Sequence, residues 1–154
     1  MKSISFILAF IAGFTAILWA QKEPAITASQ PLVLTGTIPL PNVQGRIDHM
    51  SLDPKGRLFV SALGNNTEEA LDLTAGRAMH SITGIPKPQG VLYAPDLDKL
   101  FVGSDEGKLY IYDGTSLNLI TMIDFGDDVD NLRYDARKNW CMLVTATAMQ
   151  AQSE

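Results

Sequence analysis

Three oxygen-bearing side chains recur at one spacing in this chain. Asp48, Gln89 and Asp130 lie 41 residues apart, and the residues after them, His49, Gly90 and Asn131, keep the interval. A ring of carboxylate and amide oxygens, with an imidazole and a second amide in the next layer, suits a hard cation such as Ca²⁺ or a polar ligand. The same residue types also end strands and cap turns, because their short side chains hydrogen-bond to nearby backbone. The candidate ligand-binding residues are therefore Asp48, His49, Gln89, Asp130 and Asn131, with both readings open.

Other chemistry is missing from the residues. Histidine occurs only at His49 and His80. No G-x-S-x-G, C-x-x-C, H-E-x-x-H or P-loop pattern is present. No nucleophile has a base partner in view. Asp48 and His49 are not expected to act as a pair, since neighbouring strand residues point to opposite faces. Asp127, Asp128 and Asp130 in FGDDVDN lack the D-x-D-x-D-G spacing of a calcium loop and read as a solvated turn. His80 falls in an outer strand and reads as surface. The expectation is no catalytic residue, no metal set and no cofactor.

The elements that must carry these residues form a repeat of about 41 residues. Pro54 falls on Pro95, Asp72 on Asp113 and Ile82 on Ile123, each 41 apart, and Phe59 falls on Phe101 at 42. A third copy begins at DDVDNLRYDARK. Each unit parses into four short strands. The first is Met50–Asp53, Val91–Tyr93 or Leu132–Asp135. The second is RLFVSA or KLFVGS, the third EALD or KLYIYD, and the fourth RAMHSIT or LNLITMID. Turns of the type DPKG, GNNT and DGTS separate them. Four antiparallel strands in about 40–45 residues is the spacing of a β-propeller blade. An evenly spaced β-sandwich is the alternative, and the aligned phase of Pro, Phe-Val and Asp favours the propeller.

RLFVSALGNNT and KLFVGSDEGKLYIYD, each followed by an Asp-Thr turn (Asp72 with Thr74, Asp113 with Thr115), resemble the YVTN-type β-propeller repeat family. The resemblance covers about Gly45 to Lys138. It implies exported, commonly seven-bladed proteins used as binding scaffolds, some relatives being cofactor-associated dehydrogenase subunits or hydrolases. Fold does not choose among these. One departure stands out. Glu68 aligns with Leu109, where a residue facing the neighbouring blade is expected. A charge there is costly to bury, so Glu68 is expected at an exposed edge or as a defect.

The organisation reads as a signal peptide over residues 1–20 and a linker with a lead-in strand over 21–44, the strand near Leu32–Ile38. Blades follow at 45–85 and 86–126, and a third starts at 127–138. The segment from Ile4 to Ala20 is apolar, follows Lys2 and precedes Gln21, Lys22 and Glu23, as in a secretory signal; an uncleaved anchor is the alternative. Either way the expected location is exported, periplasmic or extracellular. The lone Cys141 allows no internal disulfide. Net charge is −5 and the 12 basic residues are scattered, which argues against nucleic-acid partners and against a membrane role beyond the signal segment.

Residues 139–154 break the pattern: KNWCMLVTA stands where KLFVGS should recur. One allowed codon set for these residues, regrouped one base over, reads Leu-Val-Tyr-Val-Gly-Tyr-Gly-Asp-Gly, the missing strand and loop. The tail is thus expected to be out-of-frame translation, and the chain a truncated member with about two and a third blades. Open blade edges would invite aggregation or self-association. The functional expectation is an exported scaffold that binds a small molecule or protein on its channel face. The alternatives are a fragment of a propeller enzyme or dehydrogenase subunit, and a non-functional remnant.

Overall fold

Asp at the head of each turn sets the strand ends. Asp53 Oδ1 accepts the backbone N–H groups of Lys55 and Arg57, both at 2.8 Å, and Gly56 supplies the positive φ (83°) that closes the turn. Asp72 Oδ1 takes the N–H groups of Thr74 and Ala75. Asp113 Oδ1 does the same for Thr115 and Ser116. These Asx turns return the chain on itself and leave short extended segments between them.

The computed structural model describes residues 32–147 and 149–153, the last five as backbone alone. The signal-peptide segment 1–20 and the linker up to residue 31 lie outside the described residues. From Thr35 onward the chain forms one unit. Its first antiparallel sheet joins β1 (Met50–Leu52), β2 (Arg57–Ala62), β3 (Thr67–Asp72) and β4 (Arg77–Thr83) in sequence order. The second sheet joins β5 (Pro88–Ala94), β6 (Lys99–Ser104), β7 (Lys108–Asp113) and β8 (Leu119–Asp124) in the same way. The third has β9 (Val129–Asp135), β10 (Trp140–Thr145) and β11 (Met149–Ser153). The chain is all-β, and the expected four-stranded units appear in the first two sheets.

Successive sheets bury their facing sides against one another. Between the first and second, Phe59, Ala70 and Ile82 meet Val91, Tyr93, Leu100, Val102, Tyr110 and Tyr112. The Phe59 and Tyr93 rings stack at 5.8 Å with 15° between their planes. Between the second and third, Phe101, Leu109 and Ile111 meet Val129, Leu132 and Leu143. Backbone comes close at the second interface: a Cβ on Gly90 or Gly103 would run into the carbonyl oxygens of Asp130 and Val129. Glycine is required there by proximity.

Two sequence expectations change. Leu32–Ile38 forms no strand, and Leu32, Val33 and Leu34 are exposed; the β pattern is present, but no neighbouring edge supplies the hydrogen bonds a strand needs. Glu68 is neither exposed nor displaced. It lies fully buried on β3, opposite Ser61 and Ile82, because Ser61 Oγ hydrogen-bonds to its Oε2 at 2.8 Å. The segment from Asn139 joins the third sheet, Trp140 to Val144 pairing with Asp135 to Asn131, a pairing that bears on its fold and not on its reading frame. Cys141 and Leu143 turn toward the second sheet, while Trp140 and Val144 are about 40% exposed. His80 on β4 is exposed, as expected for an outer strand.

Candidate functional site

The ring residues sit where β1, β5 and β9 begin, and the loops around them are tied together. Gly64 N–H donates to Arg46 O, and Asp105 N–H to Lys87 O. Lys87 N–H donates to Asn66 Oδ1 at 2.8 Å, and Phe125 N–H to Gly107 O. Thr147 donates both its N–H and its hydroxyl to Asp127 Oδ2. Each link between sheets is thus held to a β2–β3-type turn, and the starts of all three sheets lie at one end.

Asp48 is mostly buried and already engaged. Arg46 Nη2 donates to its Oδ2 at 2.5 Å. His49 Nδ1 lies 3.2 Å from its Oδ1, without hydrogen-bond geometry. The two side chains therefore do come together, against the expectation of opposite faces. The alternation rule fails here because both residues precede β1. Gln89 is buried at 8% exposure, and Asp130 and Asn131 are half-buried. Asn131 Oδ1 accepts from Arg133 Nη1.

The centre of the arrangement is Asp128, which the sequence assigned to a solvated turn. Its Oδ1 is buried and has no hydrogen-bond partner among the described residues. Burial raises its carboxyl above the ordinary range, and the charges of Asp105, Asp130, Asp127 and Asp48 push in the same direction. Carboxylates from all three sheets therefore act on one group. Asp127 goes the other way: the Thr147 hydroxyl holds it low, against a smaller effect of burial. Lys87 is the counter-charge, with Nζ 2.6 Å from Asp105 Oδ2. That bond, with the Asp105 charge, raises its ammonium above the usual value.

The sequence reading missed Lys87, Asp105 and Asp128 as site members. A signal for two of them was present. Arg46, Lys87 and Asp128 are themselves 41 apart, each two residues before Asp48, Gln89 and Asp130, so they share the phase of the repeat. Among the described residues no cluster of three or more His, Cys, Asp or Glu is placed to hold a metal ion. A separate hollow lies beside the first sheet, between Leu40–Val43 and β4, next to Glu69 and Ser81. It contains none of the ring residues.

No family model matches the chain, and no curated protein matches it. Among solved structures, Kuenenia stuttgartiensis hydrazine synthase is 16% identical and aligns with a TM-score of 0.63, over 68% of this chain and 32% of that one. The present chain therefore spans a minor part of that chain's length. At this identity the likeness carries the fold alone, an all-β, propeller-like series of antiparallel sheets.

Proposed function

We propose that the chain is a run of blades from an exported β-propeller of the YVTN repeat type, serving as a scaffold that binds a positively charged ligand or partner segment. The binding end is the one where β1, β5 and β9 begin. The observation that carries this is the buried Oδ1 of Asp128, which has no hydrogen-bond partner among the described residues, on a carboxyl that burial and the charges of Asp105, Asp130, Asp127 and Asp48 all push upward. Like charges gathered at one end repel one another, and a cation relieves that repulsion. Lys87 relieves part of it through its ion pair with Asp105. Export rests on the apolar segment Ile4–Ala20.

Titration calorimetry with Ca²⁺ alone and with a short lysine-rich peptide tests the reading. The expected result is binding of one of the two that weakens as salt rises and falls at least tenfold in Asp128→Asn/Asp130→Asn. Binding of neither probe at low salt, or binding indifferent to that double substitution, overturns it.

A further inference from the structure

At the first interface, one ionisable side chain is enclosed on every side. Glu68 has no exposed surface. Its Oε2 contacts Ser61 Oγ at 2.8 Å, and its Oε1 has no hydrogen-bond partner among the described residues. The repeat shows what this position ordinarily holds. Leu109 occupies it in the second sheet, inside the apolar cluster with Phe101 and Leu132, and Gly103 occupies the place of Ser61. We propose that Glu68 is a pH-sensitive latch between the first two sheets: its uncharged carboxylic acid lets them close, and its ionisation loosens them.

The surroundings of Glu68 supply no compensation for a negative charge. On its own strand the nearest ionisable group is Glu69, of the same sign. Across the interface β7 presents Tyr110 and Tyr112, and the Glu68 charge already acts on Tyr112, whose hydroxyl burial pushes up to about 12. From β4 comes Ile82. From β5 come Val91 and Tyr93. The cations of this interface are committed elsewhere: Arg57 to Asp53, and Lys87 to Asp105. Burial accordingly drives the Glu68 carboxyl well above its ordinary range, the Ser61 hydroxyl opposes this, and Glu69 adds to it. The 2.8 Å contact serves both states, since the carboxyl O–H can donate to Ser61 Oγ, and the Ser61 hydroxyl can donate to the carboxylate.

The sign follows from linkage. A carboxyl whose folded pKa is raised stabilises the fold fully below its unfolded value, about 4.3 for Glu. That contribution is lost as pH rises through the folded value, by up to tenfold in the folding equilibrium per pH unit. The depressed carboxyls of Asp53, Asp98, Asp113 and Asp127 act below that window. The tyrosines act above it. Among the described carboxyls with a shifted value, Asp128, also raised, shares it.

Urea unfolding of the full chain from pH 5 to pH 9 tests the latch, comparing wild type, Glu68→Gln, Glu68→Leu and Asp128→Asn. The wild-type folding equilibrium is expected to fall at least tenfold across this range. Glu68→Gln and Glu68→Leu should flatten that fall, and Asp128→Asn should retain most of it. A wild-type chain without a cooperative transition at pH 5 overturns the proposal. So do parallel profiles for the wild type and both Glu68 variants, or a fall abolished by Asp128→Asn alone.

Discussion

The two sheet–sheet interfaces are built on one register and filled by different chemistry. Phe59 at the first and Phe101 at the second are equivalent, fully or nearly fully buried, and central to their clusters. Beside them the solutions diverge. The second interface has Gly103 paired with Leu109, so backbone and a branched apolar side chain meet the third sheet directly. The first has Ser61 paired with Glu68, a polar couple sealed from water. The first also adds Arg57, which binds Asp53 and stacks over the Phe59 and Tyr93 rings at 5.2 and 5.6 Å. An apolar interface of this kind is indifferent to pH, whereas one with a buried acid and a buried ion pair is not.

The largest effect is expected where the two agree. Phe101→Ala removes a side chain 2% exposed and should cost about 3–5 kcal/mol, and Phe59→Ala should cost a similar amount. Chemical denaturation of both variants measures it. A loss at only one site would show that only one interface is formed in solution. Next comes Gly103→Ala, which places a Cβ against the carbonyl oxygen and side chain of Val129. Backbone cannot move aside as a side-chain tip can, so about 1–3 kcal/mol should be lost. Ser61 already carries a Cβ at the equivalent place, so Ser61→Ala brings no clash there; it removes the hydrogen bond to the buried Glu68 carboxyl and should cost about 1–3 kcal/mol for that reason instead.

Asp53→Asn probes the ion pair particular to the first interface. Burial raises the Asp53 carboxyl, but the Arg57 backbone and guanidinium hydrogen bonds and its charge lower it further, so the net direction is down. A depressed carboxyl stabilises the fold above its unfolded value of about 3.9, and the benefit disappears as pH falls through the folded value. The variant should lose about 1–2 kcal/mol at pH 6. The loss should shrink toward zero as pH falls through the folded value, where the wild-type carboxyl is protonated too. A loss unchanged at low pH would mean that the carboxamide fails for reasons of shape.

Much of this architecture is legible in the sequence, because turn residues and period-two alternation are local properties. The strands beginning at Arg57, Lys99 and Lys108 start at the residues the pattern names, and the Asp-headed turns are the Asx turns observed. What was illegible depends on partners distant in sequence. Leu32–Ile38 has the pattern of a strand and no edge to join. Glu68 looks misplaced until the Ser61 hydroxyl is seen across the pair. Asp128 reads as a turn residue until its Oδ1 is seen buried without a hydrogen-bond partner among the described residues. The ring positions Asp48, Gln89 and Asp130 were found by phase. The competing pairings of Asp48 with Arg46 and of Asn131 with Arg133 were not, since phase says nothing about local side-chain bonds. The tail is the instructive case: β10 forms from a segment for which one allowed codon set, read one base over, spells the repeat motif. Sequencing the coding DNA is expected to show blade repeats continuing in that frame, and their absence would end the out-of-frame reading.

The smallest expected effect is the most informative about the comparison. Ser61→Ala combined with Glu68→Leu makes the first interface as apolar as the second. Replacing both members of a buried polar pair by apolar groups of similar size is close to neutral, because the lost hydrogen bond and the avoided desolvation nearly cancel. At pH 5 the double variant should therefore lie within about 1 kcal/mol of wild type. Glu68→Leu alone should be somewhat worse, since it leaves the Ser61 hydroxyl buried without its acceptor. The coupling between the two substitutions, read from a double-mutant cycle, should then be favourable for the pair. At pH 8 the balance shifts toward the double variant, which has no acid left to ionise. If instead the double variant is strongly destabilised at pH 5, the Ser61–Glu68 couple holds the first interface together as its own structural element rather than substituting for Leu109. The two interfaces would then share a register but not a packing scheme.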